Sequence, residues 1–498
     1  MKLRLSLYAL MLGLASLLAL TSCNDDDDNN NSSSIYTAAS ATSTEVSAFT
    51  LGTNDSVLAH LDSVYFTIDQ QQCLIYNADS LPVGTDVSKL TATITFPNTV
   101  SKAQLHVTGG TVMADTTWDY TSTTKDSIDF TGRVELLVTS ANGQYNRTYV
   151  IKVNVHKMEP DSLHWNLGDR RDLPGINNRL VASKTAQRGS GYVTLVHDAN
   201  RYVLAETANL GVGSWSQKVV TFPFTPRVES FAATTAALYV LDEQGNLYSS
   251  TDDGSTWTAA GVQWATLIGG YNDTEVLGVA VNGTSATADV YPRPEGYQPQ
   301  VLPDSFPVTG SSQLVPASNE WTIKPQYLIA CGRKIDGNLT NTTWGFDGEQ
   351  WGEVTSTTSS LLYGLEQPII VPYYTFSTNS TTHRTTKQVT WLLMGGRKAD
   401  GSLNRTTFVS YNQGISWSTA GTLMLQPSYM PSFYGAQAFV EQETLTGAKA
   451  RRRAGGIKPV SEWQCPYIFL LGGRGESGDA LPYVWKGVIS RLTFKPLY

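Results

Sequence analysis

Three arginines stand at equivalent places in a repeated pattern and could together bind an anion. Each follows one or two glycines after an apolar run: Arg333 in Leu-Ile-Ala-Cys-Gly-Arg, Arg397 in Leu-Leu-Met-Gly-Gly-Arg and Arg474 in Leu-Leu-Gly-Gly-Arg. A guanidinium group binds a carboxylate, a sulfate or a uronic acid through parallel N–H donors. The alternative, which we favour, is that each arginine holds the turn of its own repeat, because equivalent residues commonly serve the repeat itself.

The residues around these arginines form an internal repeat. Residues 328–344 align with residues 392–408, and a third copy begins at Phe469 and continues through Trp485. Each copy has an apolar strand, a glycine or glycine pair, arginine, a turn and a second strand. Repeats of this kind indicate a stacked architecture. The pattern is similar to kelch repeats, which form the blades of β-propellers.

A second recurring motif has Ser, Asp or Asn, Gly and Trp at fixed spacing, in residues 250–257 and 410–417. It resembles the Asp box of β-propellers. A short carboxylate or amide can accept hydrogen bonds from turn N–H groups, the glycine can take a positive φ, and the Trp can pack between sheets. We therefore predict structural rather than catalytic or calcium-binding roles for the two sets: Ser250, Asp252, Gly254, Trp257, Ser410, Asn412, Gly414 and Trp417.

The sequence assigns no catalytic residue, no metal ligand and no cofactor. A sialidase would need an arginine triad, a Tyr nucleophile and a carboxylic acid, and its Arg-Ile-Pro signature is only approximated by residues 170–174. A copper radical oxidase would need a Cys–Tyr pair and two His ligands, and no His of residues 165–498 has ligand spacing. A hydrolase or lyase with acids from distant blades stays an alternative. Pairing of Cys331 with Cys465 also stays open.

The first residues predict export and lipidation. Residues 1–22 carry Lys2 and Arg4 before an apolar run, as a secretory signal does. Leu-Thr-Ser-Cys at residues 20–23 resembles the bacterial lipobox, in which the signal is cut before the Cys, here Cys23, and that Cys is acylated. Residues 23–42 read as an acidic and polar tether, and the acidic run resembles the surface-export signal of Bacteroidetes lipoproteins. An ordinary secretory signal is the alternative.

The remaining chain predicts an all-β protein of two parts. Residues 43–157 alternate as short strands and include an Asn-Gly hairpin turn at Asn142-Gly143, which favours an immunoglobulin-like β-sandwich. The sequence predicts a linker at residues 158–164 and a β-propeller at residues 165–498. The number of blades that it supports best is six. We expect the last strand, near residues 488–494, to close the ring against a strand near Leu180.

Composition limits the function classes. Only 16% of the 498 residues are charged and the formal net charge is −8, which excludes a nucleic-acid binder with a basic face. From lipobox to propeller, the chain resembles the Bacteroidetes lipoproteins of the domain of unknown function 6242 family. The resemblance implies an outer-membrane lipoprotein facing the cell exterior. We expect its propeller to bind a glycan or a partner protein. The alternative is a glycan-active hydrolase or lyase with its site at the channel mouth.

Overall fold

The computed structural model describes residues 39–120, 126–157, 159, 162–317, 326–355, 360–378, 385–446 and 462–490. The chain divides into two compact units, Met1–Lys157 and Met158–Tyr498. Cys23 and nearly all of the predicted tether lie outside the described residues. Within the described ranges, no helix is long and apolar enough to cross a membrane.

The first unit has two β-sheets around one apolar core. Its strands are β1 (Ala48–Leu51), β2 (Thr67–Asp69), β3 (Leu74–Tyr76), β4 (Ala92–Thr95), β5 (Val100–Thr108), β6 (Asp115–Asp119), β7 (Arg133–Ser140) and β8 (Asn146–Lys152), with a 3-10 helix at Leu61–Ser63. Strands β1 and β4 form one sheet, and the other has the order β2-β3-β8-β7-β5-β6. Every second residue of β7 is buried, because successive side chains of a strand point to opposite faces.

The Asn-Gly hairpin expected from the sequence joins β7 to β8. Thr139 pairs with Asn146, and Gly143 has a φ of 73° in the turn, a conformation that glycine adopts without steric cost. Strand β3 pairs with β8 in parallel, whereas the other pairs of this sheet are antiparallel. The immunoglobulin-like topology of this unit stays a prediction.

Within the described residues, the second unit has six sheets of four or five strands, numbered here 1 to 6, which follow one another along the chain. It begins with β9 (Ser162–Trp165), a 3-10 helix (Leu167–Asp169) and β10 (Arg171–Asp172). Sheet 1 comprises β11 (Leu180–Arg188), β12 (Gly191–Asp198), β13 (Arg201–Thr207) and β14 (Ser216–Val220). Sheet 2 comprises β15 (Pro226–Ala233), β16 (Leu238–Asp242), β17 (Asn246–Ser250) and β18 (Thr258–Gln263). Sheet 3 comprises β19 (Thr266–Gly270), β20 (Val276–Asn282), β21 (Ser285–Tyr291) and β22 (Gln300–Leu302).

Sheets 4 to 6 follow the same antiparallel order. Sheet 4 comprises β23 (Val315–Ala317), β24 (Gln326–Arg333), β25 (Leu339–Phe346) and β26 (Trp351–Glu353). Sheet 5 comprises β27 (Ile369–Val371), β30 (Trp391–Met394), β31 (Phe408–Ser410) and β32 (Ser418–Thr419), with the hairpin β28 (Tyr374–Thr378) and β29 (Thr385–Val389) inserted after β27 and a 3-10 helix at Thr422–Met424 after β32. Sheet 6 comprises β33 (Gln437–Thr446), β34 (Glu462–Leu471) and β35 (Tyr483–Ser490), together with β9 and β10.

An apolar cluster joins each sheet to the next and joins sheet 6 back to sheet 1. In the cluster between sheets 2 and 3, Leu241 of β16 packs with Val276 of β20 and with Trp264. In the last cluster, Phe469 and Leu471 of β34 pack with Tyr192 of β12. Several inner strands are buried on both faces and are therefore continuous apolar runs in the sequence. All five residues of β16 and all four residues of β30 are buried. This ring of sheets is a β-propeller.

The ring closes differently from the sequence prediction. Strand β35 pairs with β9 in the antiparallel register Gly487↔Trp165 to Ser490↔Ser162, whereas Leu180 pairs with Asp198 inside sheet 1. The expected closure near Leu180 is therefore wrong. Residues 162–164, predicted as linker, belong to the closing strand. Gly487 has no side chain, and a Cβ there would lie 2.7 Å from the Trp165 ring, so glycine makes room for this closure.

We predict that Trp165→Ala lowers the free energy of unfolding of the second unit by about 3–5 kcal/mol, the usual cost of truncating a buried Trp. Trp165 is 4% exposed and packs in the cluster that contains Trp485, Met430 and Phe433. Urea unfolding followed by fluorescence measures the change. Leu167→Ala is the matched control, because Leu167 is 50% exposed, and we expect it to change stability by less than about 0.5 kcal/mol. Equal stability of the two variants would contradict closure by β9.

Candidate functional site

The first strand of each sheet lines a central channel, which has a cavity at each end. A cavity of about 930 Å³, here the wide cavity, opens where the first strands end. A cavity of about 50 Å³, here the narrow cavity, lies where the first strands begin. Lys184 and Gln313 line both cavities, so these two side chains lie at the neck between them.

The wall of the wide cavity is aromatic and amide-rich. Its partly buried aromatic rings come from sheets 3 to 6: Tyr271, Tyr327, Tyr374 and Phe439. Its amide side chains come from sheets 1, 3, 4 and 6: Gln187, Asn272, Gln313, Gln326, Gln437 and Gln442. Among the described lining residues, only Lys184 and Asp273 carry charge. Such a wall suits a polar, uncharged or weakly charged ligand with apolar faces.

Neighbouring rings hold these aromatic side chains in place. Tyr271 meets Tyr327 edge-to-face with centroids 6.0 Å apart and meets Phe346 at 5.2 Å. Its hydroxyl donates a hydrogen bond to Glu275. Phe439 meets Tyr192 at 5.0 Å, and edge-to-face geometry is the favoured arrangement of aromatic pairs.

The hydroxyls of Tyr192, Tyr271 and Tyr327 in this wall stay neutral at physiological pH, because their pKa values are raised. Burial, together with the nearby Glu441, raises the pKa of Tyr192 to about 12. Burial and the hydrogen bond to Glu275 raise the pKa of Tyr271, and burial raises that of Tyr327. Neutral hydroxyls can donate and accept hydrogen bonds, which suits a ligand rich in hydroxyl groups.

Two glutamines build the neck of the channel. The Gln313 amide joins sheet 4 to sheet 6, because its Nε2 donates to the Ala438 carbonyl and its Oε1 accepts from the Ala438 N–H at 2.7 Å. Gln437 accepts at Oε1 from the Thr185 N–H at 3.0 Å and donates to the Gly435 carbonyl. Amides whose hydrogen bonds are satisfied in this way fix the positions of the strands that they join.

At the narrow end, Arg333 and Arg397 converge on one carboxylate. Both donate through Nε and Nη2 to Glu366, at 2.8–2.9 Å from Arg333 and at 2.7–3.0 Å from Arg397. Burial works to raise the pKa of Glu366, but the hydrogen bonds from the two guanidinium groups outweigh it and hold the pKa below its ordinary value. The guanidinium group of Arg397 also lies 4.8 Å from the ring centroid of Tyr434.

Arg474 has the same backbone role but a different acidic partner. Arg333, Arg397 and Arg474 each form an isolated β-bridge with the segment before the first strand of a sheet, at Thr309, Glu366 and Tyr434 respectively. The Nη1 of Arg333 donates to the Gly337 carbonyl at 3.1 Å, and that of Arg474 donates to the Gly478 carbonyl at 3.0 Å. Arg474 Nη2 lies 2.5 Å from Glu229 Oε1.

The three arginines are therefore engaged with the turns and carboxylates of the chain itself. They lie at one end of the ring, as their place in the repeat predicts, and two of them share one anionic group. That group is the carboxylate of Glu366, and binding of an external anion by the three arginines stays a prediction. Sequence reasoning missed Glu366 and Glu229 because neither carboxylate is repeated. At the position that Glu366 occupies beside Arg397, the other two copies have Thr309 beside Arg333 and Tyr434 beside Arg474.

The turns at residues 250–257 and 410–417 have the same pattern of hydrogen bonds. Ser250 Oγ accepts from the Gly254 N–H at 2.9 Å, and Asp252 Oδ1 accepts from Ser250 Oγ at 2.8 Å and from the Thr256 N–H at 2.9 Å. The second copy repeats this pattern: Ser410 accepts from Gly414 at 2.8 Å, Asn412 accepts from Ser416 at 3.0 Å, and Trp417 is fully buried.

These turns lie apart from the channel. They join the third and fourth strands of sheets 2 and 5, and their residues line neither cavity. Hydrogen bonds from Thr256 and Ser250 lower the pKa of Asp252 to about 2, so its carboxylate acts as the fixed acceptor of the turn. At Gly254 φ is 76°, and a Cβ would lie 2.6 Å from Leu204, so both the backbone conformation and the space require glycine.

No metal centre or disulfide is formed in the described part of the chain. Its His, Cys, Asp and Glu side chains form no group of three or more that could hold a metal ion. Cys73, Cys331 and Cys465 are free thiols, so Cys331 and Cys465 do not pair. Burial raises the pKa of Cys331 to about 12, which keeps that thiol protonated and unreactive.

Two family models cover almost all of the chain after residue 33. Residues 159–497 match the DUF6242 beta propeller domain, and residues 34–153 match the DUF6242 N-terminal domain. The chain belongs to the DUF6242 family. The family match and the observed ring of sheets agree that the second unit is a β-propeller. No curated protein matches the chain in sequence.

Solved structures similar to this DUF6242 protein are distant. YjhT is 11% identical with a TM-score of 0.38, and the match covers 63% of this chain and 95% of YjhT. The SapL1 lectin in complex with alpha methyl fucoside is 11% identical with a TM-score of 0.33, covering 59% and 89%. A mutant of the Aleuria aurantia lectin in complex with alpha-methyl-L-fucoside is 14% identical with a TM-score of 0.33, covering 62% and 93%.

We predict that Glu366→Gln lowers the free energy of unfolding at pH 7 by about 1.5–3 kcal/mol, the range for hydrogen bonds to charged groups. The Glu366 side chain is 13% exposed, and its loss would leave two guanidinium groups without their carboxylate. Because the folded-state pKa is lowered, this stabilisation is present above the unfolded value of 4.5 and is lost as the pH falls through the folded value.

Urea unfolding of both proteins at several pH values measures this effect. The stability difference between wild type and Glu366→Gln should shrink as the pH falls below about 4. Glu353→Gln is the control, because Glu353 is exposed at the end of β26. A difference that stays constant down to pH 3 would contradict the assignment of the effect to the Glu366 charge.

Proposed function

We propose that this protein is an exported, lipid-anchored binding protein whose wide cavity recognises a glycan. The observation that carries the proposal is the wall of that cavity, where aromatic rings and amides from several sheets surround about 930 Å³. Sugars have apolar C–H faces and hydroxyl-rich edges. Aromatic faces can cover the former, and amides and neutral tyrosine hydroxyls can hydrogen-bond the latter.

Binding is favoured over hydrolysis by the scarcity of acids in the cavity. Glycoside hydrolysis by the common mechanisms needs two carboxyl groups about 5–9.5 Å apart across the scissile bond. Among the described lining residues, the wide cavity has one carboxylate, Asp273. Asp273 Oδ1 accepts a hydrogen bond from Thr235 Oγ1 at 2.8 Å. A glycan-active hydrolase or lyase is therefore the second candidate, and turnover is its test.

We predict that Tyr271→Ala and Tyr327→Ala each weaken glycan binding by about tenfold or more, the effect of about 1.4 kcal/mol of lost contact. A glycan array probed with the chain lacking residues 1–34 would identify a ligand, and calorimetry would compare the variants on it. Tyr65→Ala is the control, because Tyr65 is 78% exposed and belongs to the first unit. Thermal melts would establish that the variants are folded.

Each outcome of this screen separates the candidate functions. Binding without turnover, weakened by both cavity variants and not by Tyr65→Ala, supports a glycan-binding protein. Turnover of a bound glycan would make the protein an enzyme. If no glycan binds and a protein partner is captured whose binding Tyr271→Ala abolishes, the cavity serves a protein ligand instead.

The anchor is proposed from the sequence. Residues 20–23 resemble a lipobox, and the family resemblance implies a surface lipoprotein whose first unit, an immunoglobulin-like domain in that interpretation, holds the propeller away from the outer membrane. Several acyl chains on Cys23 would give stable anchoring, because each buried methylene contributes about 0.8 kcal/mol.

We predict that Cys23→Ser abolishes lipidation. In cells fed an alkyne-labelled fatty acid, the wild-type chain should carry the label and partition with membranes, whereas the variant should be unlabelled. Cys73→Ser is the control, because Cys73 is a free thiol of the first unit and should not affect labelling. A labelled Cys23→Ser chain would exclude this anchor. Protease treatment of whole cells would then test exposure at the cell surface.

A further inference from the structure

Lys184 lies at the neck of the channel and is the only lysine among the described residues that line the two cavities. It lies on β11, partly buried, and borders both cavities. Arg474, the other cation lining the narrow cavity, is paired with Glu229. Within the residues that the structure describes, by contrast, no hydrogen bond or ion pair engages the amino group of Lys184.

The charges around Lys184 leave an excess of positive charge at the neck. Among the described residues, the charged ones that line either cavity are Lys184, Glu229, Arg474 and Asp273. Glu229 attracts Lys184 electrostatically, but its carboxylate is hydrogen-bonded to Arg474. Asp273 follows the end of β19, at the far end of the wide cavity, and its carboxylate accepts a hydrogen bond from Thr235. Lys184 and Arg474 therefore face one nearby carboxylate, so one positive charge is not neutralised.

An ammonium group held away from bulk water without a partner is unfavourable. Burial accordingly lowers the pKa of Lys184 to about 8, although Glu229 acts in the opposite direction. An anionic group placed on the ammonium would remove this penalty and would favour the charged form. The narrow cavity has about 50 Å³, space for a few atoms only, which suits the tip of a carboxylate.

We propose that Lys184 binds a carboxylate at the floor of the wide cavity, and that the glycan recognised there is acidic, with a uronic acid residue directed to the neck. This inference rests on the proposed function. A carboxylate could also arrive as a small free ion. The shared chemistry is one carboxylate on the Lys184 ammonium, and the experiment separates the two sources.

The test compares three probes on the full chain by calorimetry: a galacturonic acid trisaccharide, the neutral galactose trisaccharide of the same linkage, and sodium acetate. We expect the uronate to bind at least about tenfold more tightly than the neutral sugar, as one charge-assisted contact allows. Lys184→Met should reduce the ratio of the affinity for the uronate to the affinity for the neutral sugar to about one. Lys102→Met, at an exposed site of the first unit, should leave it unchanged.

The pH dependence gives a second measurement that a packing defect would not reproduce. Uronate affinity should fall as the pH rises above about 8, because the free ammonium loses its proton there, while Arg474 stays charged. Binding of the neutral sugar should not change over this range. Lys184→Gln, a second neutral variant, should remove the pH dependence even if Lys184→Met is poorly folded.

The outcomes distinguish failure of this inference from failure of the proposed function. Equal affinity for uronate and neutral sugar, unchanged by Lys184→Gln, overturns the inference and leaves glycan binding intact. If neither sugar binds but acetate binds in a Lys184-dependent way, the carboxylate site stands with a free ion as its source, and the glycan proposal fails. If Lys184→Gln changes the affinity for none of the three probes, the carboxylate site at Lys184 is excluded.

Discussion

The antiparallel ladder between β9 and β35 is the interaction on which the rest of the propeller depends. A sheet that ends in an unpaired strand exposes a row of N–H and C=O groups, and ring closure leaves only short protected edges. Because β9 comes from the start of the unit and β35 from its end, the ladder joins both ends of the chain of sheets. The cluster between sheets 6 and 1 can form only once the ring is closed.

The closed ring gives the channel two ends of opposite character. At the narrow end, Arg333 and Arg397 form ion pairs with the shared carboxylate of Glu366, which joins sheet 4 to sheet 5. Arg474 forms an ion pair with Glu229, which joins sheet 6 to sheet 2. At the wide end, aromatic rings and amides stand around an open volume with little charge. Each of these arginines is paired with a carboxylate of the chain itself, whereas the wide cavity is open and is lined by polar and aromatic side chains from several sheets. This difference places the proposed site at the wide end, with Lys184 at its floor.

Features carried by neighbouring residues could be predicted from the sequence. The β7–β8 hairpin follows from alternating residues around Asn142-Gly143, and the repeated Gly-Arg segments placed Arg333, Arg397 and Arg474 at equivalent positions of three sheets. The hydrogen bonds of the turn at Ser250 and Asp252 also lie within a few residues of chain. These features depend on local backbone conformation and on burial of alternating or continuous apolar strands, which sequence patterns record directly.

What the sequence by itself determined is the all-β class, the repeat, the acidic stretch that follows Cys23, and the turn chemistry. Only the tertiary structure decided that β9 closes the ring and that Glu366 forms ion pairs with two of the three repeat arginines. It also decided that Lys184, Gln313 and tyrosines from four different segments line one channel. The physical reason is distance along the chain. Partners such as Gln313 and Ala438 are 125 residues apart, belong to no repeat, and are brought together only by the cumulative twist and packing of successive sheets.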